Sequence, residues 1–135
     1  MGKLSRNKGA NFERWICNQI DLELGFRPQR NLSQYQNKGQ ADIVIPLFSI
    51  EAKAYAKGHT HKKDWWKQAC DEAGNLEPIL IYKFDYQEPR AVVRLGLVLP
   101  DCIDNERVCT LSLNDLWYVM REKFAEEGMD ETKNP

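Results

Sequence analysis

The sequence predicts a single α/β domain built on a mixed β-sheet, and three observations carry that expectation. The chain has 135 residues and 42% hydrophobic content, enough for one packed core. Its apolar periodicity switches repeatedly between the helical spacing and runs of strand type. The segments follow the order α-β-β-β-α-β-β-(β)-α, which mixes hairpin-like neighbours with a helical crossover.

Element by element, the first helix runs from about Lys8 to Leu24, and Gly25 stands where a helix C-cap belongs. Phe26 to Gln40 is polar, contains Pro28 and Gly39, and reads as a short irregular strand followed by a mobile loop. Ala41–Ile45 and Phe48–Tyr55 are strand-like runs separated by Pro46-Leu47. A basic loop, Lys57 to Lys63, precedes a helix over about Asp64 to Asn75 with Trp65, Trp66, Ala69 and Ala73 on one side. Pro78–Tyr82 and Ala91–Leu99 are strongly strand-like, and Val108–Leu113 reads as a further short strand. Ser112 or Asn114 caps a last helix, Asp115 to about Glu126. The expected domain is 1–126, with 127–135 an acidic, frayed tail.

Charge narrows the function classes. Lys and Arg number 19 against 20 Asp and Glu, a balance that gives no reason to suspect nucleic acid. The balance is uneven along the chain: residues 1–63 hold 11 bases and 5 acids. A basic half is a hint of an anionic partner. No apolar run approaches the roughly 18 residues of a membrane helix, and Met1–Arg6 has no hydrophobic region behind it. The four cysteines form no Cys-x-x-Cys pair and are expected as reduced thiols in the cytoplasm.

Three acids and a lysine stand out against this background. On a helical wheel Glu13 falls within about 60° of Ile16, Cys17, Ile20 and Leu24, in the middle of the apolar stripe. A carboxylate aimed at a core needs a partner or a metal. The alternative is a first-turn acid, favoured by the helix dipole and bent toward water. If Pro46-Leu47 makes the turn, Ile45 opposes Phe48, and Asp42 then lies across from Glu51. The strand period of two puts Ser49, Glu51, Lys53 and Tyr55 on one face and Phe48, Ile50, Ala52 and Ala54 on the core side. Like charges directly opposed destabilise a sheet, and a divalent cation such as Mg²⁺ between the carboxylates removes that penalty. A solvated face with an Asp–Lys pair is the plainer alternative.

The pattern Lys8-Gly9-x-x-Phe12-Glu13-Arg14, Asp42 in an apolar strand, then Glu51-Ala52-Lys53 in the next resembles the PD-(D/E)xK nuclease superfamily. Within it the likeness is closest to archaeal-type and phage-encoded Holliday junction resolvases, over roughly residues 6–85. Ala41 stands where that pattern often has proline. The resemblance implies a restriction-endonuclease-like core and metal-dependent hydrolysis of DNA phosphodiesters. It implies Asp42 and Glu51 as metal ligands, Glu13 as a further ligand, and the Ala52 carbonyl completing the shell around Mg²⁺, with Mn²⁺ able to substitute. Lys53 would orient the attacking water or stabilise phosphorane charge. Ser33 would match a loop serine near such active sites, and Gln68 a glutamine on the second helix. The segment after about Glu88 matches no motif of the family, so the expected homodimer rests on symmetry instead: two active sites on one two-fold body suit paired nicks on a four-way junction.

DNA binding would then rest on basic residues around the acidic site: Lys3, Arg6, Lys8, Arg27, Arg30, Lys57, Lys62 and Lys63. A nuclease of the same fold cutting linear duplex, flaps or single strands is the alternative, as is a catalytically silent DNA-binding module. His59 and His61 have strand metal-pair spacing but no third zinc-type ligand nearby in sequence. Trp117, Tyr118, Met120 and Phe124 have helical spacing on the last helix and read as core or interface, with Glu122, Glu126 and Glu127 on a solvated face.

Overall fold

The computed structural model describes residues 3–28 and 40–128. Helix α1 spans Lys3–Leu24, starting more than a turn earlier than its apolar stripe predicts. Residues 3–7 carry no stripe but also no helix breaker, so the helix extends through them. Its end matches the expectation: Gly25 adopts φ 83°, and its N–H donates to the Asp21 carbonyl at 3.2 Å. Phe26–Pro28 and Gln40 form no strand, and the rest of the predicted strand and loop lies outside the described residues.

Strands β1 (Ile43–Ile45) and β2 (Phe48–Tyr55) form the antiparallel hairpin in the predicted register, with Ile45 across from Phe48 and Ile43 across from Ile50. Pro46 fixes one turn residue and Leu47 takes φ 72°, the pattern of a type II turn. The Leu47 carbonyl accepts from Glu77 N–H at 2.8 Å, tying the turn to the start of β3 (Glu77–Phe84). Helix α2 (Lys63–Ala73) crosses between β2 and β3, which pair in parallel. The other pairings, of β3 with β4 (Arg90–Arg94) and of β4 with β5 (Val108–Ser112), are antiparallel. The sheet is therefore mixed, in the order β1-β2-β3-β4-β5.

One predicted strand is cut short. Ala91–Leu99 is not continuous: β4 stops at Arg94, and Leu95–Val98 forms a single helical turn, α3. Strand propensity loses to tertiary contacts at this point. Arg94 clamps both oxygens of Glu77 at 2.8 Å. Gly96 N–H donates to the Asn105 carbonyl at 2.9 Å, and a Cβ on Gly96 would stand 2.7 Å from that of Asn105. Close approach of the two backbones turns the chain and requires glycine. Helix α4 (Leu113–Glu126) then begins at Ser112, whose Oγ accepts from Asp115 N–H at 3.1 Å.

Helices cover both faces of the sheet, which is why the two faces of β2 have such different neighbours. Phe48, Ile50, Ile79, Ile81, Ala91 and Val93 face α1 and α4, meeting Phe12, Ile16, Ile20, Trp117, Met120 and Phe124. Phe124 packs edge-on to Phe48 with ring centroids 5.5 Å apart. Each fully buried aliphatic side chain there contributes about 1.5–3 kcal/mol. On the other face, Leu80, Tyr82, Phe84 and Val92 pack under Trp65 and Ala69 of α2. Tyr118 is exposed, off the core side of α4.

Candidate active site

The hairpin register brings Asp42 and Glu51 together, and both are buried, at 5% and 3% exposure. Asp42 is fixed at the entrance to β1 because its Oδ2 accepts the Ala52 backbone N–H at 2.8 Å. Glu51 shares side-chain hydrogen bonds with Asp42 and with Glu72 of α2. Burial, above all, and then these two acid neighbours push the Glu51 carboxyl up to about 12. The next residue on the same face, Lys53, donates from Nζ to Gln68 Oε1 at 2.8 Å. Gln68 Nε2 in turn donates to Glu72 Oε1 at 3.0 Å. Lys53, Gln68, Glu72, Glu51 and Asp42 thus form one connected polar set between β2 and α2.

That set is short of positive charge and of donors. Glu51 Oε2 and Glu72 Oε2 are buried without a hydrogen-bond partner. Burying carboxylates beside one another costs several kcal/mol when nothing compensates them. Glu51 so raised keeps its proton, and a divalent cation in that proton's place would compensate the ionised acids; an all-oxygen donor set suits a hard ion. Asp42, Glu51 and the Ala52 carbonyl are the groups that fit it. Among the described residues, no three His, Cys, Asp or Glu side chains already gather as a metal-binding group. Water and substrate oxygens would therefore supply other positions, as Mg²⁺ commonly allows.

The remaining predicted site residues are distributed around this centre. Glu13 is buried at 6% exposure. Because α1 begins at Lys3, Glu13 stands well inside the helix, and the first-turn placement is excluded. Its helix packs on the face opposite α2. Gln68, expected at the DNA surface, makes the contact to Lys53. Lys57, Lys62 and Lys63 are exposed just beyond the end of β2, with the Lys62 ammonium 5.9 Å from the Trp65 ring centre. Lys8 is held by both oxygens of Asp85 at 2.9 and 3.0 Å. Arg27 bonds Asp21 at 3.0 Å and Asn18 at 2.6 Å. Lys3 and Arg6 belong to the start of α1, and Arg30 and Ser33 lie outside the described residues. His59 is exposed, while His61 turns against Tyr82, with ring centroids 5.8 Å apart.

Glu72 is the residue that sequence reasoning missed. Its signal was present: on a helical wheel it falls about 20° from Trp65, between Gln68 and Ala73, along the buried side of α2. This is the same argument that singled out Glu13, applied to the second helix.

A mixed five-stranded sheet with helices on both faces, and an aspartate at the head of one strand followed by Glu-x-Lys in the next, defines an α/β protein of the restriction-endonuclease-like class. The chain belongs to the PD-(D/E)xK family described as "phage putative PDDEXK endonuclease", whose model matches residues 4–123. No curated protein matches the sequence. Among the described residues, no helix is long and apolar enough to cross a membrane.

Proposed function

We propose that this protein is a divalent-metal-dependent DNA endonuclease that resolves four-way junctions as a homodimer. The observation that carries the chemical part is the buried Asp42–Glu51 pair, linked through Glu72 and Gln68 to Lys53. The junction preference rests on the resemblance of the Lys8–Arg14, Asp42 and Glu51–Lys53 motifs to junction resolvases, and the dimer on the two-fold symmetry that paired nicks call for.

Asp42, Glu51 and the Ala52 carbonyl would hold Mg²⁺, or Mn²⁺ in its place, and Glu13, on the helix across the sheet, would take part through a water. When bound, the ion supplies a Lewis acid and brings the pKa of a water toward neutrality. The chain's own contribution is orientation. Asp42 is anchored by Ala52 N–H, so its carboxylate is oriented before DNA arrives. Gln68 holds the Lys53 ammonium beside the acids, where positive charge is worth most as negative charge builds on the phosphate. Exposed Lys57, Lys62 and Lys63 flank this position for backbone phosphates. Lys8 and Arg27 carry acid partners, so their pull on DNA is weaker than their formal charge.

The test compares cutting of a synthetic four-way junction with that of the same sequences as linear duplex, with Mg²⁺ and with chelator. Junction cutting that needs the metal and exceeds duplex cutting is expected. Equal cutting of both substrates would overturn the junction preference, and cutting unaffected by chelator would overturn the metal site. Sedimentation as a monomer on and off DNA would remove the dimer.

A further inference from the structure

A cleft of about 810 Å³ is separate from the acidic centre and has no role in the chemistry above. It lies on the α1 side of the sheet, between the first turns of that helix, the ends of β2 and β3, and the β3–β4 turn. Its size falls inside the range of about 300–1,000 Å³ typical of small-molecule sites. Ala54 forms part of its wall. Ala54 is two residues beyond Ala52 on the same strand face, roughly 7 Å along β2. The cleft therefore begins about one nucleotide step from the carbonyl assigned to the metal.

We propose that this cleft receives an unpaired nucleobase next to the phosphate being cut. The inference rests on the nuclease reading and adds to it the form of DNA that the site engages. Two exposed rings face the space. Trp15 is 38% exposed and lies parallel to Phe12, with ring centroids 5.9 Å apart and planes at 10°, so its indole is braced from behind. Tyr86 is entirely exposed at the turn tip, with φ 65°, a conformation in which glycine would be at ease and tyrosine is strained.

The turn that carries Tyr86 is firmly held. Asp85 N–H donates to the Tyr55 carbonyl and Gln87 N–H to the Phe84 carbonyl, both at 3.1 Å, and Lys8 grips the Asp85 carboxylate. A ring raised on a fixed pedestal loses little freedom on binding, which is what a stacking platform needs.

The charge of the cleft selects the base over the phosphate. Lys8 and Lys83 are matched by Asp85 and Glu88, so the lining is close to neutral and a phosphate gains little by entering. The amides of Asn7 and Asn11 line the α1 side, and amides can both donate to and accept from a base edge. An apolar peptide side chain would leave those amides facing carbon. A base in a duplex would keep its stacking partners and could not enter without unpairing.

The experiment measures binding of a single-stranded DNA hexamer to the full chain in chelator, by quenching of tryptophan fluorescence and by anisotropy of a dye-labelled strand. The comparison strand is the same hexamer with abasic sites, which keeps the phosphates and removes the rings. Removing the bases is expected to weaken binding about tenfold or more. Tyr86→Gly, which also relieves the positive φ, and Trp15→Leu should each weaken the intact hexamer by a similar factor and leave the abasic strand unchanged. Equal affinity for intact and abasic strands, or an unchanged affinity in both variants, overturns the proposal. So does loss of self-association in Tyr86→Gly without change in DNA binding, which would assign the cleft to a second copy. Because the assay contains no metal and reads no cutting, base binding can stand while the nuclease reading fails, and the reverse.

Discussion

The two faces of β2 are built from the same eight residues in alternation, and both are covered by helices, yet they hold opposite materials. Phe48, Ile50, Ala52 and Ala54 enter a core shared with α1 and α4. Ser49, Glu51 and Lys53 turn toward α2, where Ser49 and Glu51 are buried as deeply as the apolar row. Burial alone therefore does not separate the core from the site. The difference is what meets each residue. On one face every buried group finds a hydrocarbon partner, and on the other two carboxylate oxygens find none. The first face stabilises the fold, and the second carries the cost of acids crowded together away from water.

Cutting this comparison at the polar face gives the largest effect. Asp42→Asn, Glu51→Gln and Lys53→Ala should each lower cleavage about a hundred- to a thousandfold or more. Junction affinity, read by gel shift in chelator, should stay close to that of the parent. Full activity in any of the three would place the chemistry elsewhere in the molecule.

Stability should respond in the opposite sense across the strand. Ile50→Ala removes a fully buried side chain from the α1 face and should lower unfolding free energy by about 2–4 kcal/mol. Glu51→Gln, one residue away and just as buried, should cause no loss in metal-free protein, because a neutral amide replaces an acid crowded by Asp42 and Glu72. Urea titration of both variants decides it. A loss in Glu51→Gln equal to that in Ile50→Ala would mean that the acid is a structural element like its neighbours.

How the sequence carried these two faces differs as well. The apolar row and the hairpin register were legible because period two and a two-residue turn leave one pairing, and the structure adopts it. The end of α1 at Gly25 and the cap of α4 were legible because each uses one residue's local chemistry. The interruption of β4 was not, since it depends on Glu77 and Asn105, each at least nine residues away in sequence. For the candidate site, Asp42, Glu51 and Lys53 could be named from pattern, as could the burial of Glu13. The link from Lys53 through Gln68 to Glu72 needed the packing of α2 against β2, which no local period specifies. The even charge of the whole chain was the least informative feature, because ion pairs such as Lys8–Asp85 and Arg94–Glu77 join segments far apart.

Glu72 offers a sharper, smaller test of the polar face. It touches Glu51 and Gln68 and would position them, so Glu72→Gln should reduce cleavage about tenfold, well short of the loss in Glu51→Gln. The reduction should appear as a higher Mg²⁺ concentration for half-maximal rate, with the rate at saturating metal largely restored. A purely structural role would instead lower the melting temperature and leave the metal dependence unchanged.

The weakest expected effect comes from the rim of the α2 face. His61 lies against Tyr82, its Nδ1 is buried without a partner, and burial lowers its pKa from the usual value near 6.5. A histidine whose folded pKa is depressed binds its proton more readily when unfolded. Stability is therefore fully present above pH 6.5 and declines as pH falls below it, until the folded form also takes up the proton. Part of the fall in urea midpoint between pH 7 and pH 5 should come from this residue, and His61→Gln should reduce that slope. A slope unchanged in His61→Gln would place the imidazole in water and loosen the contact between the basic loop and the α2 face.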